Sequence, residues 1–330
     1  MKELTSPERL IRTLRREAVD RVPTFEWLID RKVIAALAPG SSYEDFCYKF
    51  ELDAICVDCD YESRKLEDGK IQDEWGMIKL HTAESHSFPL DGPIRTMEDV
   101  LTYRAPDPLR PGRYDSVERA VRTHEGKKAV ILHLNDVFSI PSRLMPFEHF
   151  IMLTIDDPDA VRALVDISVD TNLKMAEEAV RRGIRIVYTG DDVAYKTGPI
   201  VSPDQFRELF LPGLQRVMRG FKELGLLVIK HTDGNIMPII DMIIETGIDC
   251  LDPIDPTAGM DLARIKQTYG SRIALKGNVD CAQTLTFGSV EETVAETKQC
   301  LEIGMPGGGY ILSSSNSIHS EVKPENYRAL

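Results

Sequence analysis

Eight short apolar runs, rich in β-branched residues, recur along the chain: VPTFEW (22–27), DAICVD (53–58), KAVILHL (128–134), IRIVYTG (184–190), LLVIKH (226–231), IDCLDP (248–253), RIALKGN (272–278) and GGYILSS (308–314). Between most of them apolar residues return every three to four positions, as in 157–183, 204–225 and 289–304, and these segments mostly close on a glycine. That is the pattern of amphipathic helices ending in left-handed caps. Strand and helix alternating in this way predict an α/β fold, a (β/α)8 TIM barrel with parallel strands inside and helices outside. The interval between the second and third strands is about twice the usual length. It holds GKIQDEWGMIKLHTAE, two alternating runs around Trp75 and Gly76, then a Pro-rich descent, YRAPDPLRPGRY, into a helix at 115–124. This predicts a hairpin excursion on one barrel loop. No internal repeat or low-complexity linker interrupts the pattern, so residues 1–330 are expected to form a single domain.

Composition narrows the partners. Of 330 residues, 42% are hydrophobic and 28% charged, enough for a large core. Lys and Arg number 40 against 53 Asp and Glu, a formal net charge of −13, and no basic run offers a track for a phosphate backbone. Nucleic acid is therefore excluded as the expected partner. No apolar stretch is long enough to span a bilayer, and the N-terminal segment is charged throughout, so a cytoplasmic protein is expected. The six cysteines are expected to be reduced thiols. Cys56 and Cys59 form a CxxC, but three positions apart on a strand they face opposite sides, which predicts two packed thiols.

In a barrel, chemistry sits where strands end on the C-terminal face. The predicted strand ends carry Glu26, then Asp58 and Asp60, Asn135 and Asp136, Asp191 and Asp192, His231 and Asp233, Asp252 and Asp255, Asn278 and Asp280, and lastly Asn316. For any one of these, helix capping or turn formation is the plain alternative. A polar ring around the whole mouth asks for more. KHTDGN (230–235) places His231 and Asp233 one residue apart at that mouth, with Gly234 and Asn235 shaping the turn into the next helix. Such a pair can give two ligands to one cation, or an imidazole and a carboxylate for proton transfer.

Over nearly its full length the chain resembles the uroporphyrinogen decarboxylase superfamily. The residues that carry the likeness are SPERLIRTLRREAVDRVP, DEWG (73–76), GPIVSPDQFRELFLP (198–212), KHTDGN, LKGNVD (275–280) and GGGYILSSSNSIHSEVKPENYRAL. The resemblance implies a barrel with a funnel at its C-terminal face and one of two chemistries: cofactor-free decarboxylation of a tetrapyrrole, or methyl transfer to or from a corrinoid protein. The decarboxylases carry an Arg-rich segment after the first strand, where this chain has FEWLIDR with Glu26 and Asp30. They also carry Gly-His-Gly after the last strand, where this chain has Ser315-Asn316-Ser317. Their catalytic aspartate has a counterpart in Asp60. The thiol-methylating corrinoid enzymes use a His-x-Cys and a second Cys as zinc ligands; the matching positions here are His231, Asp233 and Asn316.

With oxygen ligands in place of thiolates, the resemblance favours the branch that takes a methyl group from oxygen, as in the O-demethylase systems of anaerobic bacteria. A divalent cation, zinc or a similar ion, is expected on His231, Asp233 and Asn316, with Glu26 as a further ligand or, like Asp60, a proton donor of raised pKa among like charges. Asp191, Asp192, Asn278 and Asp280 are expected to bind the substrate, a small methoxylated aromatic. The chain has no DxHxxG stretch, so the corrinoid is expected on a separate protein that docks over the mouth. A decarboxylase and a non-catalytic small-molecule-binding barrel are the alternatives.

Overall fold

The computed structural model describes residues 3–80 and 87–330. Seven strands, Ala54–Val57, Ala129–Leu134, Ile186–Gly190, Leu227–His231, Cys250–Asp252, Ala274–Val279 and Tyr310–Ser314, lie side by side in chain order and pair in parallel. The eighth place belongs to residues 22–29, which make parallel bridges from Thr24 to Leu312 and from Ile29 to Ile318 without forming a regular strand. Pro23 brings no N–H to a ladder there. Main-chain bonds from Leu312 to Pro23 (3.0 Å) and from Asp53 to Thr24 (2.6 Å) still join this segment to both edges of the curled sheet. The fold is the TIM-barrel type expected.

Alternation along each strand sorts the core into two parts. Ala54, Ala129, Ile131, Ile186, Tyr188, Leu227, Ile229, Cys250 and Ala274 fill the barrel interior with Phe25. Leu132, Leu134, Val187, Val228, Leu251, Leu275 and Val279 face outward into the helix layer. Helix Ser6–Leu14, started by a Thr5–Glu8 capping box, sends Leu10 and Leu14 into the interior cluster and closes the floor. Cys56 packs against the inner cluster and Cys59 lies in the outer one, the opposite placement expected of the CxxC pair. Among the described residues, no helix is long and apolar enough to cross a membrane.

The predicted helix over 204–225 is divided. Pro212 has no N–H for the carbonyl of Glu208 and its ring crowds that oxygen, so Phe206–Phe210 widens into a π-helical turn before the helix Leu211–Glu223. That helix lies so close to Pro158–Arg181 that a Cβ on Gly213 would sit 2.4 Å from Val165 and one on Gly220 2.3 Å from Leu173.

The excursion is larger than a hairpin. Four antiparallel strands, Ser63–Lys65, Lys70–Asp73, Ile78–Leu80 and Phe88–Asp91, form a small sheet. The end of the predicted hairpin, residues 81–84, lies outside the described residues. Asp73 accepts from the main-chain N–H of Trp75 and of Met77, each at 3.0 Å, which makes the tight turn. The Trp75 side chain is packed in the outer core.

One buried carboxylate anchors the N-terminal segment to the barrel floor. Asp53, with no exposure, accepts from Arg9 (2.7 Å), Arg21 (2.8 and 3.0 Å) and the Thr24 N–H (2.9 Å). Asp53→Ala would leave the Thr24 N–H and one Arg9 N–H without an acceptor, while Asp20 still holds the rest of the Arg9 guanidinium, and is expected to cost about 1–3 kcal/mol, read as a lower urea midpoint. Leu101→Ser, at a side chain 72% exposed, should stay within about 0.5 kcal/mol of the parent.

Candidate functional site

His231 is the last residue of its strand, and alternation turns it inward, two positions beyond Ile229. Register places it beside Asp252 on one neighbouring strand and Gly190 on the other. Its Nδ1 lies 2.7 Å from Asp252 Oδ2. Tyr188 donates its hydroxyl to the same oxygen at 2.6 Å, and Lys276 donates to Oδ1 at 2.7 Å. Burial opposes charge on Asp252, but Lys276 and His231 outweigh it and hold the carboxyl down to about 2. Burial likewise opposes charge on His231, yet Asp233, Asp252 and Asp192 raise it to about 9.

With Nδ1 committed to Asp252, Nε2 points the other way. It lies 3.6 Å from Asp192 Oδ1 and 3.6 Å from Asp233 Oδ1. One ligand atom from each of the three residues falls within 4.8 Å of the others. Gly234 permits the turn that brings Asp233 back: its φ is +87°, and a Cβ there would sit 2.6 Å from Ala194 O. Asp233 Oδ2 accepts from Asn316 Nδ2 at 2.7 Å, while its Oδ1 is buried with no hydrogen-bond partner. An orphaned carboxylate oxygen beside an imidazole already oriented by a second carboxylate fits a divalent cation with N/O preference. His231, Asp233 and Asp192 would hold it.

These groups form the floor of a cavity of about 610 Å³ between the barrel mouth and the excursion sheet. Tyr61, Ile71 and Lys79 face it from the excursion side, Trp27 and Tyr188 from the barrel. The Trp27 and Tyr188 rings stack at 4.8 Å and 5°, and Trp27 meets His133 at 4.4 Å. Under the floor a void of about 10 Å³, close to the size of one water, is lined by Glu26, Tyr188, His231, Asp252, Lys276 and Ser314.

The structure brings His231, Asp233, Asn316 and Asp192 together, and it changes several expected roles. Asn316 turns its amide nitrogen to Asp233 and its oxygen to the Ser317 N–H (2.7 Å), and the other carboxylate facing His231 Nε2 is Asp192. Glu26 is too deep to be a ligand; both its oxygens accept from Ser314, at 2.9 and 2.8 Å. Its carboxyl is pushed up to about 7 chiefly by burial, against Lys276 and the Ser314 hydrogen bonds, with the like charge of Asp252 adding a smaller push.

Four further residues lie off the cavity. Asp60 accepts from Ser116 N (2.8 Å) and Oγ (2.6 Å), holding the start of helix Asp115–His124. Asp191, one position out of phase with Asp192, faces the helix layer and accepts from the N–H groups of Phe138 (2.6 Å) and Asp136 (3.2 Å). Asn278 donates to Ile254 O (2.9 Å) and accepts from Cys300 (3.5 Å). Asp280 caps a turn through Ala282 N (2.8 Å) and Gln283 N (2.9 Å). Trp27, Tyr188 and Lys276 were not picked out from the sequence. Strand parity was the signal available: Tyr188 and Lys276 share the inward phase of Ile186 and Ala274.

Two curated relatives span this chain completely and cover 97% of their own lengths. One, 24% identical over 368 residues, is a uroporphyrinogen decarboxylase of Thioalkalivibrio sulfidiphilus; the other, 25% identical over 342 residues, is a methylcobamide:CoM methyltransferase of Methanosarcina barkeri. Among solved structures, a methyltransferase from Methanosarcina mazei superposes with a TM-score of 0.78 at 20% identity, covering 99% of this chain and 97% of its own. It shares the fold. The family model described as uroporphyrinogen decarboxylase (URO-D) matches residues 75–330, from the excursion's Trp75 turn to the final helix, and the chain belongs to that family.

Proposed function

We propose that this protein moves a methyl group from the oxygen of a small methoxylated aromatic compound to the corrinoid of a separate protein, as the methyl-removing component of an O-demethylase. The observation that carries this reading is the convergence of His231 Nε2, Asp233 Oδ1 and Asp192 on the cavity floor. Nitrogen and oxygen ligands suit a cation that grips an ether oxygen better than one that activates a thiol. Relatives that work on a methylcobamide lend support. The decarboxylase reading fits less well, because Asp58, Glu62, Asp73, Asp192 and Asp233 line the cavity and would repel a polyacidic tetrapyrrole.

When bound, a divalent ion such as zinc would supply positive charge at the leaving oxygen, and the partner's reduced corrinoid would supply the nucleophile. The chain's own residues do the rest. Asp252 and Tyr188 fix the His231 ring and leave Nε2 free. As the methyl–oxygen bond breaks, its electron pair stays on oxygen, which leaves as a phenol once protonated. Glu26 holds a proton near pH 7 and borders the water-sized void beside His231, which makes it the proton source. The corrinoid protein docks over the mouth through a contact of modest area, since it must leave after each transfer.

Incubation with a methoxylated aromatic, the reduced corrinoid protein and zinc should shift the cobalt absorbance only when all three are present. Efficient turnover of any substrate without a corrinoid would overturn the reading. Protein purified without chelator should carry close to one divalent ion per chain, and His231→Ala should lose it. Asp252→Asn should weaken metal binding roughly 10–100-fold by freeing the ring. Full activity in metal-free protein would remove the Lewis-acid role.

The Glu26 carboxyl is neutral below about pH 7 and charged above it, so the rate should fall as pH rises through that value. Glu26→Gln should lower turnover about 10²–10⁴-fold and flatten that limb. A variant with the parent's rate and pH profile would assign Glu26 to architecture.

A further inference from the structure

We propose that His133 determines specificity by accepting a hydrogen bond at Nε2 from a hydroxyl on the ring of the methyl donor, which makes that donor a methoxyphenol. This rests on the O-demethylation reading and names the substrate class within it.

Strand phase builds the receptor. Asp58 shares the inward phase of Ala54 and Cys56, and His133 that of Ala129 and Ile131. Cys56 is paired with Ile131, so the next inward residues on the two strands, Asp58 and His133, meet as neighbours. His133 Nδ1 lies 2.9 Å from Asp58 Oδ1, and Trp27 flanks the ring at 4.4 Å. Gly190 leaves the room the ring needs, since a Cβ there would sit 2.9 Å from Nε2. The imidazole is thus held on three sides, and it lines the large cavity together with Asp58, Trp27 and Gly190. Among the described residues its Nε2 has no hydrogen-bond partner.

Asp58 decides where the proton sits. A carboxylate only accepts, so Nδ1 carries the hydrogen, and the Nε2 of a neutral ring presents its lone pair. The matching group on a ligand is a donor, and on a small oxygenated ring that donor is a hydroxyl. His231 is oriented by the same device, but its Nε2 faces Asp192 and Asp233 and so belongs to the cation. Gly190 pairs with His231, and neighbouring strands lie about 4.8 Å apart, so His133 Nε2 sits roughly one strand spacing from the ligand residue. One substituted benzene ring bridges that span. An ether oxygen at the cation and a hydroxyl at His133 give the ring two anchors, which holds the methyl group in a single place for attack.

Binding is measured by calorimetry without corrinoid, in zinc-loaded protein at about pH 8, above the ordinary imidazole range. The probes are methoxyphenol, the methoxyfluorobenzene that carries fluorine in place of its hydroxyl, and the methoxybenzoate that carries a carboxylate there. The parent should bind methoxyphenol about tenfold more tightly than methoxyfluorobenzene. His133→Phe keeps a ring against Trp27 and removes the acceptor, so the preference should vanish while methoxyfluorobenzene stays within about twofold of its parent affinity. His133→Gln, which retains an acceptor oxygen, should keep part of the preference. A parent with no hydroxyl preference overturns the inference, as does a preference that survives in His133→Phe, where the metal would be reading the hydroxyl. Equal loss of both probes in His133→Phe assigns the residue to architecture and overturns it too. So does a methoxybenzoate preference that His133→Phe abolishes, because Nε2 would then be donating. Methoxyphenol that binds as expected but never methylates the corrinoid protein defeats the O-demethylase reading alone. Methyl transfer from methoxyfluorobenzene as fast as from methoxyphenol defeats this inference alone.

Discussion

A carboxylate with no access to water stays charged only if donors surround it, and Asp252 meets that condition inside the barrel. It takes hydrogen bonds from Tyr188 and Lys276 and faces His231 Nδ1, each within 2.7 Å. Four strands are tied by these contacts, and removing any partner would leave a buried charge short of a donor. The arrangement also selects one orientation of the imidazole, because Nδ1 is committed and Nε2 must face the cavity. Tyr188, locked by the same oxygen, backs Trp27. Site geometry and interior packing are thus one problem with one solution.

A second polar cluster holds the same strands from behind. Lys230 points outward, pairs with Asp136 at 2.9 Å and donates to the carbonyls of Asp191 and His231, each at 2.9 Å. Burial and the neighbouring Asp191 push the Asp136 carboxyl up; Asp191 is held down despite burial by Asp136, Lys230 and the N–H groups of the 138–139 turn. Those carbonyls lie next to Asp192 and within two residues of Asp233, so the cluster sets the spacing of the two loops that carry the carboxylates. Lys and His stand next to each other in KHTDGN because they serve opposite faces of one strand.

The roof over this site comes from outside the barrel. The four-stranded excursion sheet is fastened by the buried Arg113–Glu74 pair at 2.5 Å and by Asp60, which accepts from Ser116 of helix Asp115–His124. It turns an open funnel into a cavity with two walls, one contributed by strand ends and one by the excursion. Family membership leaves two chemistries open, and the proposed methyl transfer rests on the nitrogen and oxygen groups gathered on the cavity floor.

Apolar periodicity sufficed for the barrel. Six of the seven regular strands fall inside an apolar run and the other, Ala274–Val279, runs one residue past its own, and helices Pro158–Arg181, Asp115–His124 and Val290–Gly304 sit where the 3.6-residue pattern placed them. That legibility follows from burial, which acts on every residue of an element and leaves its period in the chain. The KHTDGN motif marked His231 and Asp233 for a related reason: two ligand types one residue apart at a strand end are a local feature. Which polar residues shared their cavity was not local. Asp191 and Asp192 are adjacent in sequence and were assigned one role, yet strand phase sends the first behind the sheet and the second to the mouth. Asp60, Asn278 and Asp280 matched the polar ring equally well and were spent on a helix start, a main-chain carbonyl and a turn. The partnership of Asp252, Lys276 and Tyr188 needed three strands brought into register. A hydrogen bond depends on where two atoms meet, and only the closed barrel decided that.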